Sequence, residues 1–135
     1  MNFWKDKEKG HIEPLLFSTH AQEKALLFSN EGTVEKRNGK RELMLNKASQ
    51  IRRFYDELSR LEDEVRSSND RWHVVEPQVH MLVAKAAYAE GRKLVSHGFK
   101  TFIQDGATAV TSPQELKIFR QHFESIIGFF RMMHQ

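Results

Sequence analysis

The 135-residue sequence contains no cysteine, few prolines and no long apolar run. Without cysteine, a disulfide framework, a thiolate metal ligand and a cysteine nucleophile are all excluded, and this composition is typical of a reducing compartment. A transmembrane helix needs about 18 consecutive apolar residues, which the sequence does not offer. Residues 1–10 alternate charges and lack the apolar stretch of a signal peptide. We therefore expect a cytoplasmic protein with no membrane partner.

Recognisable catalytic and cofactor motifs are also missing. There is no phosphate-binding or dinucleotide-binding glycine loop. The seven histidines are scattered, and none has the spacing that places two imidazoles on one helical face. Near neighbours such as His122 and Glu124, or Ser96 and His97, do not face each other on a helix. The sequence predicts no enzymatic activity, no cofactor and no metal site. A zinc site assembled from distant helices is the less favoured alternative.

Helical periodicity is frequent, whereas the alternation typical of strands hardly occurs. We therefore predict an all-α fold, a compact bundle of about five helices that forms a single domain over residues 1–135. Pro14 fits the first turn of a helix that ends near Ser29. Residues 30–45 contain several turn signals and four cations. We therefore expect a polar linker, with the turn-rich, charged sequence that is typical of mobile segments.

The other four helices have recognisable boundaries. Asn46 fits the N-cap of the second helix, which residues 67–70 end. Its apolar stripe consists of Ile51, Phe54, Leu58, Leu61 and Val65. We expect the third, fourth and fifth helices to cover residues 77–95, 99–110 and 113–133. Gly106 is a weak point of the fourth helix, and residues 112–115 predict a capping box with proline at the first position of the fifth.

Basic residues concentrate in the middle of the chain. The net charge of +3 favours an anionic partner only slightly. On the second helix, however, Arg53 and Arg60 lie opposite the apolar stripe and Arg52 lies on its flank. Arginine suits phosphate because its planar group donates two parallel hydrogen bonds. The alternative is a salt-bridged surface, because Arg52 with Asp56 and Arg53 with Glu57 have the i, i+4 spacing.

The third helix has two contrasting faces when its residues are placed at about 100° intervals. One side carries Val79, Leu82, Val83, Ala86 and Ala87. The opposite side carries Met81, Lys85, Tyr88 and Arg92. Such a row can follow a phosphate backbone while the tyrosine ring stacks or bonds a ribose. Alternatively, Tyr88 packs against a neighbouring helix and the cations are solvated.

Three segments carry a family resemblance. They read Ser49-Gln-Ile-Arg-Arg-Phe-Tyr-Asp-Glu-Leu58, Leu82-Val-Ala-Lys-Ala-Ala-Tyr-Ala-Glu-Gly-Arg92 and Phe119-Arg-Gln-His-Phe-Glu-Ser-Ile-Ile-Gly-Phe-Phe130. They resemble the small subunit of type III-A CRISPR effector complexes, the Csm complexes, over roughly residues 46–134. The resemblance implies a non-catalytic, all-helical subunit. It would pack against other Csm subunits and further copies of itself, and would help to hold the CRISPR RNA and its target RNA.

The resemblance transfers the RNA-binding role to residues of the matching segments, namely Arg52, Arg53, Lys85 and Arg92. Tyr88 joins them because of its place on the same helical face. We add Lys47, Arg60 and Lys93 to these candidates, because they are expected to lie on the same surface. We expect these eight residues to contact the RNA backbone.

Two other functions stay open at this point. A helical protein–protein adaptor would use outward aromatics such as Tyr88 to contact partner helices and would touch RNA only incidentally. A small DNA-binding regulator of the helix-turn-helix class needs a short turn between two helices. The expected connection, residues 67–76, is too long for such a turn, so this function is less favoured.

Overall fold

Five helices form the body of the computed structural model, which describes residues 1–134. They are α1 (Thr19–Gly32), α2 (Ala48–Ser67), α3 (Trp72–Gly91), α4 (His97–Ala109) and α5 (Pro113–Met133). Two short antiparallel hairpins accompany them, β1 (Trp4–Asp6) with β2 (His11–Ile12) and β3 (Thr33–Glu35) with β4 (Arg41–Leu43). Single 3-10 turns occupy Pro14–Phe17 and Asn69–Arg71. The prediction of an all-α bundle of about five helices is confirmed, with the two hairpins as additions.

Phenylalanine rings fill the centre of the core. Phe99 of α4 lies 5.3 Å from Phe28 of α1 and 5.4 Å from Phe54 of α2, measured between ring centroids. One turn further along α4, Phe102 lies 5.2 Å from Phe123 of α5. These pairs meet edge to face, the arrangement that the charge distribution of aromatic rings favours. Helices α1, α2 and α5 therefore converge on the rings of α4.

Gly106 lies where the Phe119 ring of α5 packs directly against α4. A Cβ atom at this position would overlap the ring. The absence of a side chain therefore permits the close approach of the two helices. Helix α4 continues through Gly106 to Ala109, so the expected weak point does not interrupt it.

The segment 30–45, expected to be a polar linker, is largely a β-hairpin. Helix α1 extends to Gly32, and β3 then pairs with β4. The amides of Met44 and Leu45 donate to the Gly32 carbonyl at 2.7 and 3.1 Å and close the base of the hairpin. The turn signal at Asn38-Gly39 marks the tip, where Gly39 has a φ of 79°. The expected polar linker thus contains two paired strands that the sequence did not predict.

Helix α1 also begins later than expected. Pro14 begins a single 3-10 turn, and Ser18 then leaves the helical region of backbone conformation before α1 starts at Thr19.

Asn46 does not cap α2 as predicted. Lys47 occupies the cap position and makes no side-chain cap bond. Asn46 is buried with a φ of 61°, and its side chain bonds the Phe28 carbonyl and Ser96. Its backbone amide donates to the Leu94 carbonyl at 3.0 Å. The capping prediction is wrong because interior partners, distant in sequence, compete for this side chain.

Helix α3 begins and ends earlier than predicted. It starts at Trp72, directly after the 3-10 turn, so Pro77 lies inside the helix and not at its first position. It ends at Gly91, and Lys93 takes a left-handed φ of 59° as the chain turns towards α4. The connection between α2 and α3 is consequently Ser68–Arg71, shorter than predicted.

The start of α5 agrees with half of the predicted capping box. The Ser112 hydroxyl accepts from the Glu115 amide at 3.2 Å. The Glu115 carboxylate, however, accepts from the Thr111 amide at 2.9 Å and from the Trp4 indole at 2.8 Å. The glutamate thus ties strand β1 to α5.

Candidate nucleic-acid interface

A cleft of about 780 Å³ lies between α2 and α3. The two helices run antiparallel, because the end of α2 meets the beginning of α3. The Arg60 guanidinium donates to the Gln78 side chain at 3.1 Å. One turn earlier on α2, Glu57 lies opposite Lys85. A four-residue connection between two 20-residue helices accounts for this hairpin of helices.

Four of the predicted RNA-binding residues line this cleft, namely Arg53, Arg60, Lys85 and Tyr88. Arg92 joins them one helical turn beyond Tyr88. Its Nη1 donates to the Tyr88 hydroxyl at 3.1 Å, and its guanidinium carbon lies 5.8 Å from the ring centroid. Tyr88 is 65% exposed, so within this chain it does not pack against a neighbouring helix. The outward face of α3 was thus predicted correctly.

The inward face of α3 was predicted almost correctly. Val79, Leu82 and Ala86 are buried, and Val83 is half-buried. Ala87 is exposed, so its assignment to the core face was wrong. Ala89 is buried in its place, because the buried stripe of α3 is rotated away from the predicted line towards Val75 and Ala89.

Glu57 is an acidic residue of the cleft, and its carboxylate pairs with Arg60 and not with Arg53, the residue at the i, i+4 spacing. Its two carboxylate oxygens accept from Arg60 at 2.7 and 3.2 Å. The Arg60 hydrogen bond lowers the pKa of Glu57, and the same bond raises that of Arg60. The pairs Arg52–Asp56 and Arg53–Glu57, the alternative interpretation of this spacing, are not formed among residues 1–134. Arg52 and Arg53 are both exposed, and neither takes part in an ion pair within that range.

Lys47 and Arg52 lie outside the α2–α3 cleft. They line two adjoining hollows of about 700 and 380 Å³ between the start of α2 and the end of α5, together with Arg131. Lys93 is exposed just after α3 and lines neither region. The structure therefore brings together five of the eight predicted residues and separates the other three.

Sequence reasoning missed three polar residues of these surfaces. Gln50 lines the α2–α3 cleft, and the Gln78 side chain holds Arg60 there. Arg131 lies beside Arg52 on the other side of α2. No local signal identifies them, because each becomes relevant only when a second helix packs beside it.

Cations outnumber carboxylates in the α2–α3 cleft. Arg53, Arg60, Lys85 and Arg92 lie near Asp56 and Glu57, and Glu64 also pairs with Arg60 at 3.5 Å. Guanidinium groups can donate bidentate hydrogen bonds to phosphate. The exposed Tyr88 ring offers a face for a base or a sugar.

Across residues 1–134, no three histidine or acidic side chains converge as metal ligands would. No helix in that range has both the length and the apolar character needed to cross a bilayer.

The comparison with known families decides the identity. The family model described as Csm2 Type III-A matches residues 32–135. The chain belongs to this family. It is therefore a small subunit of a type III-A CRISPR effector complex, and the resemblance carried by α2, α3 and α5 is confirmed. No curated protein and no solved structure matches the chain.

The Csm2 match begins at Gly32, the last residue of α1. Helix α1 nevertheless packs against α5 and buries Ala21, Ala25 and Phe28 in the common core. The segment outside the family match thus completes the bundle.

The connection between α2 and α3 has four residues, Ser68–Arg71, so the objection that it is too long for a helix-turn-helix motif was wrong. The match to the Csm2 family is what disfavours a helix-turn-helix regulator.

Proposed function

We propose that this Csm2 subunit binds the CRISPR RNA and its complementary target RNA through backbone contacts in the α2–α3 cleft. In this proposal it has no catalytic activity of its own. It acts in the cytoplasm, packed against other Csm subunits and further copies of itself. The observation that carries the proposal is the convergence of four cations and the exposed Tyr88 on one pair of antiparallel helices.

The spacing of the cations suits a phosphate backbone. Arg53 and Arg60 lie seven residues apart, which is about 10 Å along α2, and Lys85 and Arg92 have the same separation on α3. Two such rows on facing helices can follow one RNA strand. Contacts of this kind fix the position of the strand and carry no sequence information.

Lys47, Arg52 and Lys93 remain proposed contacts of lower weight. Lys47 and Arg52 lie in the groove between α2 and α5, away from the cleft. We expect them to add to the general attraction of RNA by releasing counterions, with smaller individual effects.

The test measures the RNA affinity of the assembled complex after cations of the α2–α3 cleft are removed. A combined Arg53→Ala, Lys85→Ala and Arg92→Ala variant should weaken RNA binding at least about tenfold, similarly for unrelated RNA sequences. The plot of log affinity against log salt should become less steep by about 2. Arg53→Ala and Arg52→Ala form a matched pair of single variants, and Arg53→Ala should weaken binding more, because Arg52 lies in the other groove. Unchanged affinity of the combined variant in filter binding would contradict the proposal.

A protein–protein adaptor is the second candidate. Met81 and Tyr88 are 56% and 65% exposed and lie seven residues apart on α3, on one face of the helix. Large exposed apolar side chains are common at interfaces between proteins. In this case the same face would contact a partner helix instead of RNA.

A further inference from the structure

The Glu57 carboxylate occupies a position between both walls of the α2–α3 cleft. Its two oxygens accept from Arg60 on its own helix at 2.7 and 3.2 Å. One of those oxygens lies 4.0 Å from the Lys85 ammonium group on α3. Glu57 thus accepts hydrogen bonds from the Arg60 guanidinium and forms a longer ion pair with the Lys85 ammonium group across the cleft.

Carboxylate and phosphate are interchangeable ligands for this arrangement. Both present two oxygens to the planar fork of arginine, and both attract an ammonium group as a point charge. A phosphate group near the position of the Glu57 carboxylate would meet the same guanidinium and the same ammonium group.

We propose that this position is a phosphate subsite of the cleft, and that an RNA phosphate displaces Glu57 when it binds Arg60 and Lys85. This inference rests on the proposed function. Glu57 is then an internal competitor that holds the two cations in place when RNA is absent and reduces affinity for RNA. Ligands with a single weak anion compete poorly with it, whereas a backbone with successive phosphates can replace it.

Displacement of Glu57 is physically feasible. The Arg60 and Glu57 side chains are 52% and 27% exposed, and ion pairs near the surface contribute little stability. Arg60 also stays positioned after Glu57 leaves, because its Nη2 donates to the Gln78 side chain at 3.1 Å. Gln78 acts here as a positioning residue.

The experiment compares Glu57→Gln with Asp56→Asn in the assembled complex. Both variants remove one negative charge from residues that line the same cleft, but Asp56 takes part in no ion pair among the first 134 residues. Affinity for the target RNA is measured by filter binding over a range of salt concentrations. Circular dichroism of each full chain verifies that the fold is retained.

Glu57→Gln should bind RNA about two- to fivefold more tightly at low salt, because the Glu57 pair no longer has to be broken and only the longer Arg60–Glu64 contact of 3.5 Å remains. Its salt dependence should be steeper by about 0.7, since no displaced carboxylate is left to take up a cation from solution. Asp56→Asn should change affinity and slope less. Equal tightening by both variants would overturn the inference, because the loss of any negative charge near the cleft would then account for the higher affinity. Unchanged or weaker binding by Glu57→Gln would also overturn it, because Glu57 would then help to position Arg60 for RNA.

An Arg60→Ala variant separates this inference from the proposed function. If Arg60→Ala weakens RNA binding while Glu57→Gln does not tighten it, the phosphate subsite is wrong and the RNA-binding cleft stands. If neither Arg60→Ala nor the combined cation variant affects binding, the proposed function fails and the inference fails with it.

Discussion

Asn46 and Ser96 bond each other twice in the interior of the protein. The Asn46 Oδ1 accepts from the Ser96 amide at 2.8 Å, and its Nδ2 lies 2.9 Å from the Ser96 hydroxyl. Nδ2 also donates to the Phe28 carbonyl of α1 at 3.0 Å. Its backbone amide bonds Leu94, which lines the α2–α3 cleft. Asn46 therefore joins the start of α2 to two other parts of the chain, α1 and the connection between α3 and α4. The position of α2 beside α3 therefore depends on this residue.

Replacement of Asn46 by glycine should destabilise the fold by about 2–4 kcal/mol. Glycine adopts the φ of 61° without strain, but it leaves the buried Phe28 carbonyl and Ser96 amide without these partners. Asn46→Ala should lose about 1 kcal/mol more, because a Cβ disfavours the left-handed conformation. Urea unfolding measures both differences. Asn38→Gly at the exposed hairpin tip is the control and should be nearly neutral. Equal midpoints for Asn46→Gly and Asn38→Gly would contradict the assignment.

Two substitutions of Tyr88 distinguish the RNA-binding and adaptor functions. Tyr88→Phe keeps the ring and loses only the hydroxyl that Arg92 bonds, so RNA affinity should fall slightly. Tyr88→Ala removes the stacking surface, and affinity should fall at least about fivefold. Neither change should affect stability much, because the side chain is largely exposed. Filter binding measures the affinity, and size-exclusion chromatography measures assembly of the complex. If Tyr88→Ala prevents assembly and leaves RNA binding of the chain unchanged, the adaptor function is favoured.

The helix faces could be predicted because helical periodicity is a local property. All five residues of the predicted α2 stripe, from Ile51 to Val65, are buried. The outward row of Lys85, Tyr88 and Arg92 follows from the same geometry. Each side chain's direction is set by its own helix, so no knowledge of the neighbouring elements is required.

The errors arose where distant residues decide the outcome. Asparagine is a residue type typical of helix caps, but the Asn46 side chain instead bonds Ser96, which is fifty residues away in sequence. Glu57 had a partner at the expected spacing in Arg53, yet it bonds Arg60, which Gln78 of α3 also holds. Which cations share a cleft likewise depends on helix packing. Arg52 and Arg53 are adjacent in sequence and line different grooves.

His122 provides a pH-dependent contribution to stability. Its side chain is buried within α5, and Nδ1 donates to the Leu16 carbonyl, which fixes the 3-10 turn of Pro14–Phe17 to that helix. Burial lowers the pKa of His122 although the Leu16 hydrogen bond opposes the shift, and His20 and Lys24 of α1 lower it further. The folded protein thus favours the neutral ring over the charged one.

The sign of the pH effect follows from this lowered pKa. Below about pH 6.5 the unfolded chain binds a proton at His122 that the folded chain does not, so the free energy of unfolding falls as the pH decreases. The decrease should approach about 1.4 kcal/mol per pH unit until the folded pKa is reached. His122→Asn supplies a donor that does not titrate, so it should reduce this pH dependence while lowering stability at pH 7. His73→Asn, at an exposed position of α3, should leave the dependence unchanged. Urea unfolding between pH 5 and 8 measures all three proteins, and an undiminished slope in His122→Asn would assign the acid sensitivity to another group.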